Sequence, residues 1–117
     1  MNAPDVVVLA TRQLVAYNNR DIDAFCECYA DDVRVLDADG NLSLHGIEAF
    51  RSRYSPLFAD HCVVAGVITE RMTLGPHLVE KERWQRQKNA DSPVESGEVV
   101  VRYTAKGGKI AVVQFFR

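Results

Sequence analysis

Residues 62–87 read CVVAGVITERMTLGPHLVEKERWQRQ, two runs rich in β-branched and apolar residues on either side of Gly75-Pro76. A Gly-Pro pair between such runs is typical of a turn, so the stretch predicts two consecutive strands. Residues 95–104 and 110–116 predict two more strands, joined by a two-glycine turn at 106–109. Long strands joined by tight turns pair with their neighbours, so we expect an antiparallel meander.

The beginning of the chain has helical periodicity instead. Val7, Ala10, Leu14 and Tyr17 recur at steps of three and four and form one apolar stripe. Pro4 suits the first turn of such a helix, where a missing N–H group costs nothing. The pattern therefore predicts an amphipathic first helix.

Two more helices are predicted before the long strands. Asp21 is a natural N-cap for a short helix over 22–30, because its carboxylate can accept from the N–H groups of the first turn. A third helix is predicted over 47–59, with Pro56 expected to bend it or end it early. The apolar stripes of the helices need a surface to cover, and one face of the sheet provides it. We therefore expect one α+β domain over residues 1–117.

A short hairpin between the second and third helices contains the best candidate for a catalytic carboxylate. An Asp39-Gly40 turn would place Leu42 opposite Asp37, on a face that is otherwise apolar. A carboxylate on such a face loses hydration, which favours its protonated form and suits proton transfer. Aspartate is also common at hairpin ends because it accepts from the backbone of the turn. Both interpretations of Asp37, pocket-facing acid or turn cap, stay open.

Composition and charge exclude several classes of function. The net charge is −2 and no Lys/Arg run occurs, which argues against nucleic-acid binding. No apolar segment reaches the ~18 residues of a membrane span and no secretory signal is evident, so we expect a cytoplasmic protein. Cys26, Cys28 and Cys62 lack metal-ligand spacing, and no glycine-rich phosphate loop precedes a helix. We expect free thiols, no metal and no cofactor.

Four runs resemble a known superfamily. They are AYNNRDIDAF at 16–25, YADDV at 29–33, GIEAF at 46–50 and YTAKGGKI at 103–110. Together they resemble the nuclear transport factor two-like superfamily, which includes the SnoaL-like and ketosteroid-isomerase-like proteins. The resemblance implies a cone-shaped, curved antiparallel sheet that encloses a pocket with three N-terminal helices, and it implies a homodimer.

The resemblance also assigns residues, and these assignments argue against an efficient ketosteroid isomerase. Asp37 falls where an aspartate moves the proton in those isomerases. The two positions that should donate to the developing enolate oxygen fall at Gln13 and Val100. An amide donates more weakly than the usual groups and valine cannot donate, and losing one such donor costs about 3–4 kcal/mol of transition-state stabilisation.

Other chemistries of the superfamily depend on other side chains. Arg102 shares the parity of Val100, so an inward-facing Arg102 would pair with Asp37 as in an epoxide-hydrolase-like arrangement, whereas the default is a solvated arginine. Trp84 is expected either in a pocket wall or at a dimer interface. The three histidines are expected at the surface or in turns, and they are His45, His61 and His77.

The sequence therefore predicts a pocket for a small, mostly apolar molecule. Asp37 would move a proton next to a carbonyl group, as in an isomerase or cyclase. The predicted lining, taken from helical stripes, strand parity and the geometry of the superfamily, is Gln13, Tyr17, Tyr54, Phe58, Val100, Arg102 and Phe115. The alternative is a non-catalytic, dimeric ligand-binding or interaction module with a vestigial pocket. A polar partner for Asp37 inside the pocket would favour the enzyme.

Overall fold

The computed structural model describes residues 5–117, so the predicted role of Pro4 lies outside the described residues. This part of the chain forms three helices and six strands. They are α1 (Val6–Asn18), α2 (Ile22–Glu27), β1 (Tyr29–Leu36), β2 (Leu42–His45), α3 (Ile47–Asp60), β3 (Val63–Leu74), β4 (His77–Gln87), β5 (Glu95–Lys106) and β6 (Lys109–Phe116). None of the three helices between residues 5 and 117 is long and apolar enough to cross a bilayer.

All six strands form one curved sheet in the order β2-β1-β6-β5-β4-β3. The four long strands make the expected antiparallel meander. β1 lies parallel to β6, however, so the sheet is mixed and the expectation of a wholly antiparallel sheet is wrong. This pairing joins segments about 80 residues apart in the chain, with Tyr29 beside Ile110, and a local pattern does not reveal such a neighbour. The α+β arrangement itself is confirmed.

Aspartate side chains begin the first two helices. Asp5 Oδ1 accepts from the Val8 N–H at 2.9 Å, and Asp21 Oδ1 accepts from the Ala24 N–H at 3.1 Å, which confirms the predicted cap at Asp21. α2 ends at Glu27, three residues before its predicted end. The Ile110 N–H donates to the Cys28 carbonyl, so pairing with β6 takes the next residues into the sheet.

The third helix continues past its proline. α3 includes Pro56 and ends at Asp60, so the expected early end is wrong. Phe58 lies beyond the proline and is 5 % exposed. The burial of Phe58 holds the last turn in place. Pro56 has no N–H group to donate to the carbonyl of Ser52, but Ser52 is exposed to solvent.

An aromatic cluster fills the space between the helices and one face of the sheet. Phe25 is at its centre and is 2 % exposed. Five rings have centroids 5.0–6.0 Å from that of Phe25, and they belong to Tyr17, Tyr29, Phe50, Tyr54 and Phe58. Aromatic pairs at these distances contribute about 0.5–1.5 kcal/mol each beyond the area they bury. The cluster therefore fixes three helices against β1 and forms one wall of a cavity.

The register of the short hairpin differs from the prediction. Val35 pairs with Leu44 and Arg34 with His45, but Leu42 pairs with Leu36 across a bulge and not with Asp37 as predicted. Asp37 thus lies in a wider turn over residues 37–41, in which Gly40 has a φ of 86°. The prediction of a two-residue turn is wrong because the Asp37 side chain accepts hydrogen bonds that organise a longer loop.

Candidate active site

A cavity of about 590 Å³ lies between the helices and the inner face of the sheet. Its walls include aromatic rings from all three helices and from β4, β5 and β6. All four tyrosines of the chain line it, and they are Tyr17, Tyr29, Tyr54 and Tyr103. The volume is in the usual range for small-molecule sites, roughly 300–1,000 Å³.

Gln13 joins two of these tyrosines. The Tyr29 hydroxyl donates to Gln13 Oε1 at 3.0 Å, and Gln13 Nε2 donates to the Tyr103 hydroxyl at 3.2 Å. All three side chains are buried. Because the Tyr103 oxygen accepts from Gln13, its own proton remains available to a group inside the cavity. The arrangement therefore presents one oriented O–H donor, which the sequence interpretation did not identify.

Burial keeps the four phenols protonated. It raises the pKa of Tyr17 and of Tyr54 to about 12, with the negative charge of Glu82 as a further cause for both. It also raises the pKa of Tyr29 and of Tyr103 well above the ordinary value. At neutral pH these side chains act as hydrogen-bond donors and not as phenolates.

Glu82 is the carboxylate with the most perturbed acidity in this cavity. Burial, and next the charge of Glu80, raise the pKa of Glu82 to about 7, against the opposing charge of Arg117. Glu80 is itself paired with Arg71, whose Nε lies 2.8 Å from Glu80 Oε2. Within residues 5–117, no basic nitrogen lies within 4.0 Å of the Glu82 carboxylate. Glu82 can therefore both lose and gain a proton near neutral pH.

Two glycines on neighbouring strands make room for the side chains of β4. A Cβ atom on Gly66 would overlap Glu82 Oε1, and a Cβ atom on Gly97 would lie 2.6 Å from Trp84 Cζ2. Asn18 holds Gly66 from the end of α1, since its Oδ1 accepts from the Gly66 N–H at 2.7 Å and its Nδ2 donates to the Gly66 carbonyl at 3.2 Å. Trp84 lines the cavity, in agreement with the pocket-wall alternative.

Asp37 lies at the edge of the same cavity but is exposed to solvent. Its Oδ1 accepts from the Asp39 N–H at 3.0 Å and from the Asn41 N–H at 2.9 Å, and its carbonyl accepts from the Gly40 N–H. This is the geometry of the turn-cap alternative. The catalytic role of Asp37 stays a prediction, and Glu82 is the more desolvated acid.

Of the seven predicted lining residues, four border the cavity, one lies in the aromatic cluster and two point away from the cavity. Gln13, Tyr17, Tyr54 and Phe115 line the cavity. Phe58 instead belongs to the aromatic cluster, packed edge-on against Tyr17.

Val100 and Arg102 point away from the cavity, so their predicted orientation is wrong. The inner side chains of β5 are Val99, Val101 and Tyr103, one position out of step with the prediction. The consecutive valines gave both parities the same apolar appearance.

Of the two alternatives for Arg102, the pairing with Asp37 does not form. Arg102 Nε and Nη2 donate to Gln114 Oε1 at 3.2 and 3.0 Å, and its Nη1 donates to Thr104 Oγ1 at 2.6 Å. These partners lie on the outer face of the sheet, so an epoxide-hydrolase-like pair of Asp37 with Arg102 does not form. The residue of β5 next to Arg102 that does line the cavity is Tyr103.

The histidines and cysteines lie apart from the cavity lining. His45 is exposed opposite Arg34, His61 Nδ1 lies 2.9 Å from the Leu57 carbonyl, and His77 Nδ1 lies 2.8 Å from Thr104 Oγ1. The thiols of all three cysteines are free. Residues 5–117 contain no group of three side chains that could hold a metal ion.

The profile of the SnoaL-like domain matches residues 10–113. The chain belongs to the SnoaL-like domain family. This confirms the resemblance proposed from the sequence. A search of curated proteins found no match to this SnoaL-like domain.

Solved structures give the fold independently. An uncharacterised cystatin-fold protein from Novosphingobium aromaticivorans has 26% identity and a TM-score of 0.85, with 97% of this chain and 99% of that chain covered. A putative polyketide cyclase from Pseudomonas putida has 13% identity and a TM-score of 0.75, covering 97% and 92%. An M. tuberculosis LEH-like epoxide hydrolase has 12% identity and a TM-score of 0.77, covering 92% and 77%. The expected cone fold is thereby confirmed.

Proposed function

We propose that this SnoaL-like domain binds a small, mostly apolar carbonyl compound and moves a proton at the carbon next to the carbonyl. Glu82 would be the base and Tyr103 the donor to the carbonyl oxygen. The observation that supports this most directly is their presence in one cavity, together with the Gln13 hydrogen bond that leaves the Tyr103 proton available.

In this reaction the ionised Glu82 takes a proton from the α-carbon. The C–H electron pair becomes the carbon–carbon double bond of an enolate, and the negative charge moves to the oxygen, where the Tyr103 O–H group stabilises it. In an isomerisation of a β,γ-unsaturated ketone, the proton on Glu82 is delivered to the γ-carbon of the conjugated enolate, and the carbonyl double bond re-forms. In a cyclisation, the enolate carbon attacks a second carbonyl carbon, the electron pair of that carbonyl double bond moves to its oxygen, and this oxygen takes the proton from Glu82. A single oriented donor of this kind is worth roughly 10²–10³ in rate.

Glu82 suits the role of base better than Asp37 does. Its pKa of about 7 matches the pH at which a general base is most effective. Asp37 is exposed, and one of its carboxylate oxygens already accepts two backbone N–H groups. Three of the solved structures similar to this chain are named as putative polyketide cyclases or as an epoxide hydrolase, so the fold is compatible with catalysis on small molecules.

The alternative is a non-catalytic ligand-binding module, and the position of Asp37 in its turn favours it. That alternative implies a vestigial pocket, whereas a cavity of about 590 Å³ lies there, with a glutamate that has no basic partner within 4.0 Å among residues 5–117. An open cavity with an acid of this pKa is better explained by proton transfer.

A second copy of the chain is the partner that we propose for the outer face of the sheet. The edge strand β3 exposes three large apolar side chains there, Val67, Met72 and Leu74, at 61%, 69% and 79%. Exposed apolar side chains on one face are typical of interaction surfaces. Light scattering should give twice the mass of 13.1 kDa, and Val67→Lys should shift the mass towards that of the monomer.

Proton exchange tests the catalytic proposal directly. We would incubate the protein in D₂O with aryl ketones and 1,3-diketones and follow deuterium incorporation at the α-carbon by NMR. Glu82→Gln should lower the catalysed exchange by at least about 10²-fold, and Tyr103→Phe by about 10²–10³-fold. Glu70→Gln, on an exposed glutamate of β3, is the matched control. Unchanged exchange in Glu82→Gln together with loss in Asp37→Asn would move the base to Asp37.

A further inference from the structure

Arginine side chains surround the mouth of the cavity. Arg53 of α3, Arg86 of β4 and Arg117 all belong to its lining. Arg53 lies three residues after Phe50 and four before Leu57, on the same face of α3 as these two lining residues. The entrance therefore combines positive charge with aromatic and aliphatic walls.

Two of these arginines are available to a ligand. Arg86 is partly occupied, because its Nε lies 3.0 Å from Glu95 Oε2 and its guanidinium stacks 5.0 Å from the Trp84 ring centroid. Arg53 and Arg117 have no carboxylate oxygen within 4.0 Å among residues 5–117. The Arg117 guanidinium lies 5.0 Å from the centroid of the Phe115 ring, which holds it beside the cavity.

The lining of the cavity holds more arginines than carboxylates, although the chain as a whole carries a negative net charge. The chain carries −2, whereas three arginines of the lining face two carboxylates, Asp37 and Glu82. The positive charge also acts inside the cavity. Arg117 lowers the pKa of Glu82, Tyr17 and Tyr54, and Arg53 lowers that of Tyr54, although burial outweighs both effects. An anion would thus be attracted to this mouth and not to the chain as a whole.

We propose that the ligand is an amphipathic acid whose carboxylate binds between Arg53 and Arg117. This assigns a substrate class to the site and rests on the proposed function for the other end of the ligand. Guanidinium groups match the planar, two-oxygen geometry of carboxylates, and the rings beside them suit an aromatic body.

The burial of the polar groups gives the ligand its direction. Arg53 and Arg117 are exposed, whereas Gln13 and Tyr103 are each 5 % exposed. The carboxylate therefore stays at the mouth, and the carbonyl end reaches the inner donor Tyr103. In this orientation the negative group of the ligand is held apart from the buried end, where a second charge would be costly.

The test compares an acid with its uncharged isostere. Trp84 is the single tryptophan of the chain and lines the cavity, so its fluorescence reports occupancy. We would titrate the protein with 4-phenylbutanoate and with 4-phenylbutanamide. The acid should bind about tenfold tighter, and the preference should shrink as ionic strength rises. The variant Arg53→Gln/Arg117→Gln should bring the affinity for the acid to that for the amide and leave the amide unchanged.

The control is Arg34→Gln, which removes an exposed arginine of β1 that is not part of the cavity lining and should keep the preference. Equal affinity of the wild type for acid and amide, no binding of the acid, or a preference that survives the double variant would each overturn the inference. Proton exchange on uncharged ketones tests the proposed function separately. Its loss in Glu82→Gln with no preference for the acid would leave the function standing and remove only the anion subsite.

Discussion

Gly66 leaves open the space that the carboxylate of Glu82 fills. A Cβ atom at position 66 would overlap Glu82 Oε1 and would lie 3.1 Å from Leu14 Cδ1. The two residues are on adjacent strands, and Gly66 itself pairs with Trp84. The position of the proposed base therefore depends on the glycine at position 66 of β3. Asn18 at the end of α1 holds the backbone of this glycine in place.

Gly66→Ala should displace the Glu82 carboxylate and lower proton exchange. The new methyl group also crowds Leu14, so we expect a loss of about 1–3 kcal/mol in the free energy of unfolding, measured by urea denaturation. A double-mutant cycle with Glu82→Ala separates the two contacts. The cost of Gly66→Ala should fall in the Glu82→Ala background, because the larger overlap is then gone. Equal cost in both backgrounds would contradict the space-filling relationship.

Glu82→Gln should change the dependence of stability on pH. The pKa of Glu82 in the folded protein, about 7, is above its ordinary 4.5, so the protonated form is favoured by folding. Its stabilising contribution is complete below about pH 4.5 and is lost as the pH rises through about 7. The variant lacks this loss. Between pH 4.5 and 8 its free energy of unfolding should therefore rise by about 1–3 kcal/mol relative to that of the wild type, after allowance for the partial exposure of Glu82.

Thermal and urea unfolding at several pH values would measure that difference. Glu70→Gln is the control on the neighbouring strand, where the glutamate is exposed to solvent. A stability difference between Glu82→Gln and the wild type that stays constant from pH 4.5 to 8 would show that Glu82 is not desolvated.

Gln13→Leu should destabilise the fold through the tyrosines that it leaves unpaired. It removes the acceptor of the Tyr29 hydroxyl and the donor to the Tyr103 hydroxyl. We expect a loss of about 1–3 kcal/mol, because two buried polar groups lose their partner. In a background of Tyr29→Phe/Tyr103→Phe the same substitution should cost less, since the stranded hydroxyls are absent. Strict additivity in denaturation experiments would show that the three side chains do not act as one network.

Local signals predicted the long strands closely. β4 has its predicted bounds, and β3 begins one residue after the predicted start, because turn residues and β-branched runs determine both. The pairing of β1 with β6 was not predicted, since it depends on contacts between distant parts of the chain. On β5, Val99, Val100 and Val101 have the same side chain, so no polar alternation indicated which face is inside.

The candidate site was predicted only in part, for related reasons. Tyr17 and Tyr54 follow from helical stripes, and Gln13 from the resemblance to the superfamily. Glu82 lies in the charged segment 80–86, where a solvated side chain is the usual outcome, and its burial depends on Gly66 on another strand. The sequence offered one signal of this burial, because Glu82 and Trp84 are two residues apart and therefore lie on the same face of β4. A glutamate and a tryptophan on one face, with a glycine opposite the tryptophan on each neighbouring strand, indicate side chains that fold over their neighbours.

Asp37 should prove to be a residue of the turn and not the base. Asp37→Ala removes the acceptor of the Asp39 and Asn41 N–H groups and should cost about 1–2 kcal/mol of stability. Asp37→Asn keeps an oxygen at the same place, so it should retain most of that stability and also most of the proton exchange. The pair of variants separates charge from hydrogen bonding, and each would be compared with Glu82→Gln in the same assay. Loss of exchange in Asp37→Asn, with stability unchanged, would instead show that the ionised carboxylate of Asp37 is the base.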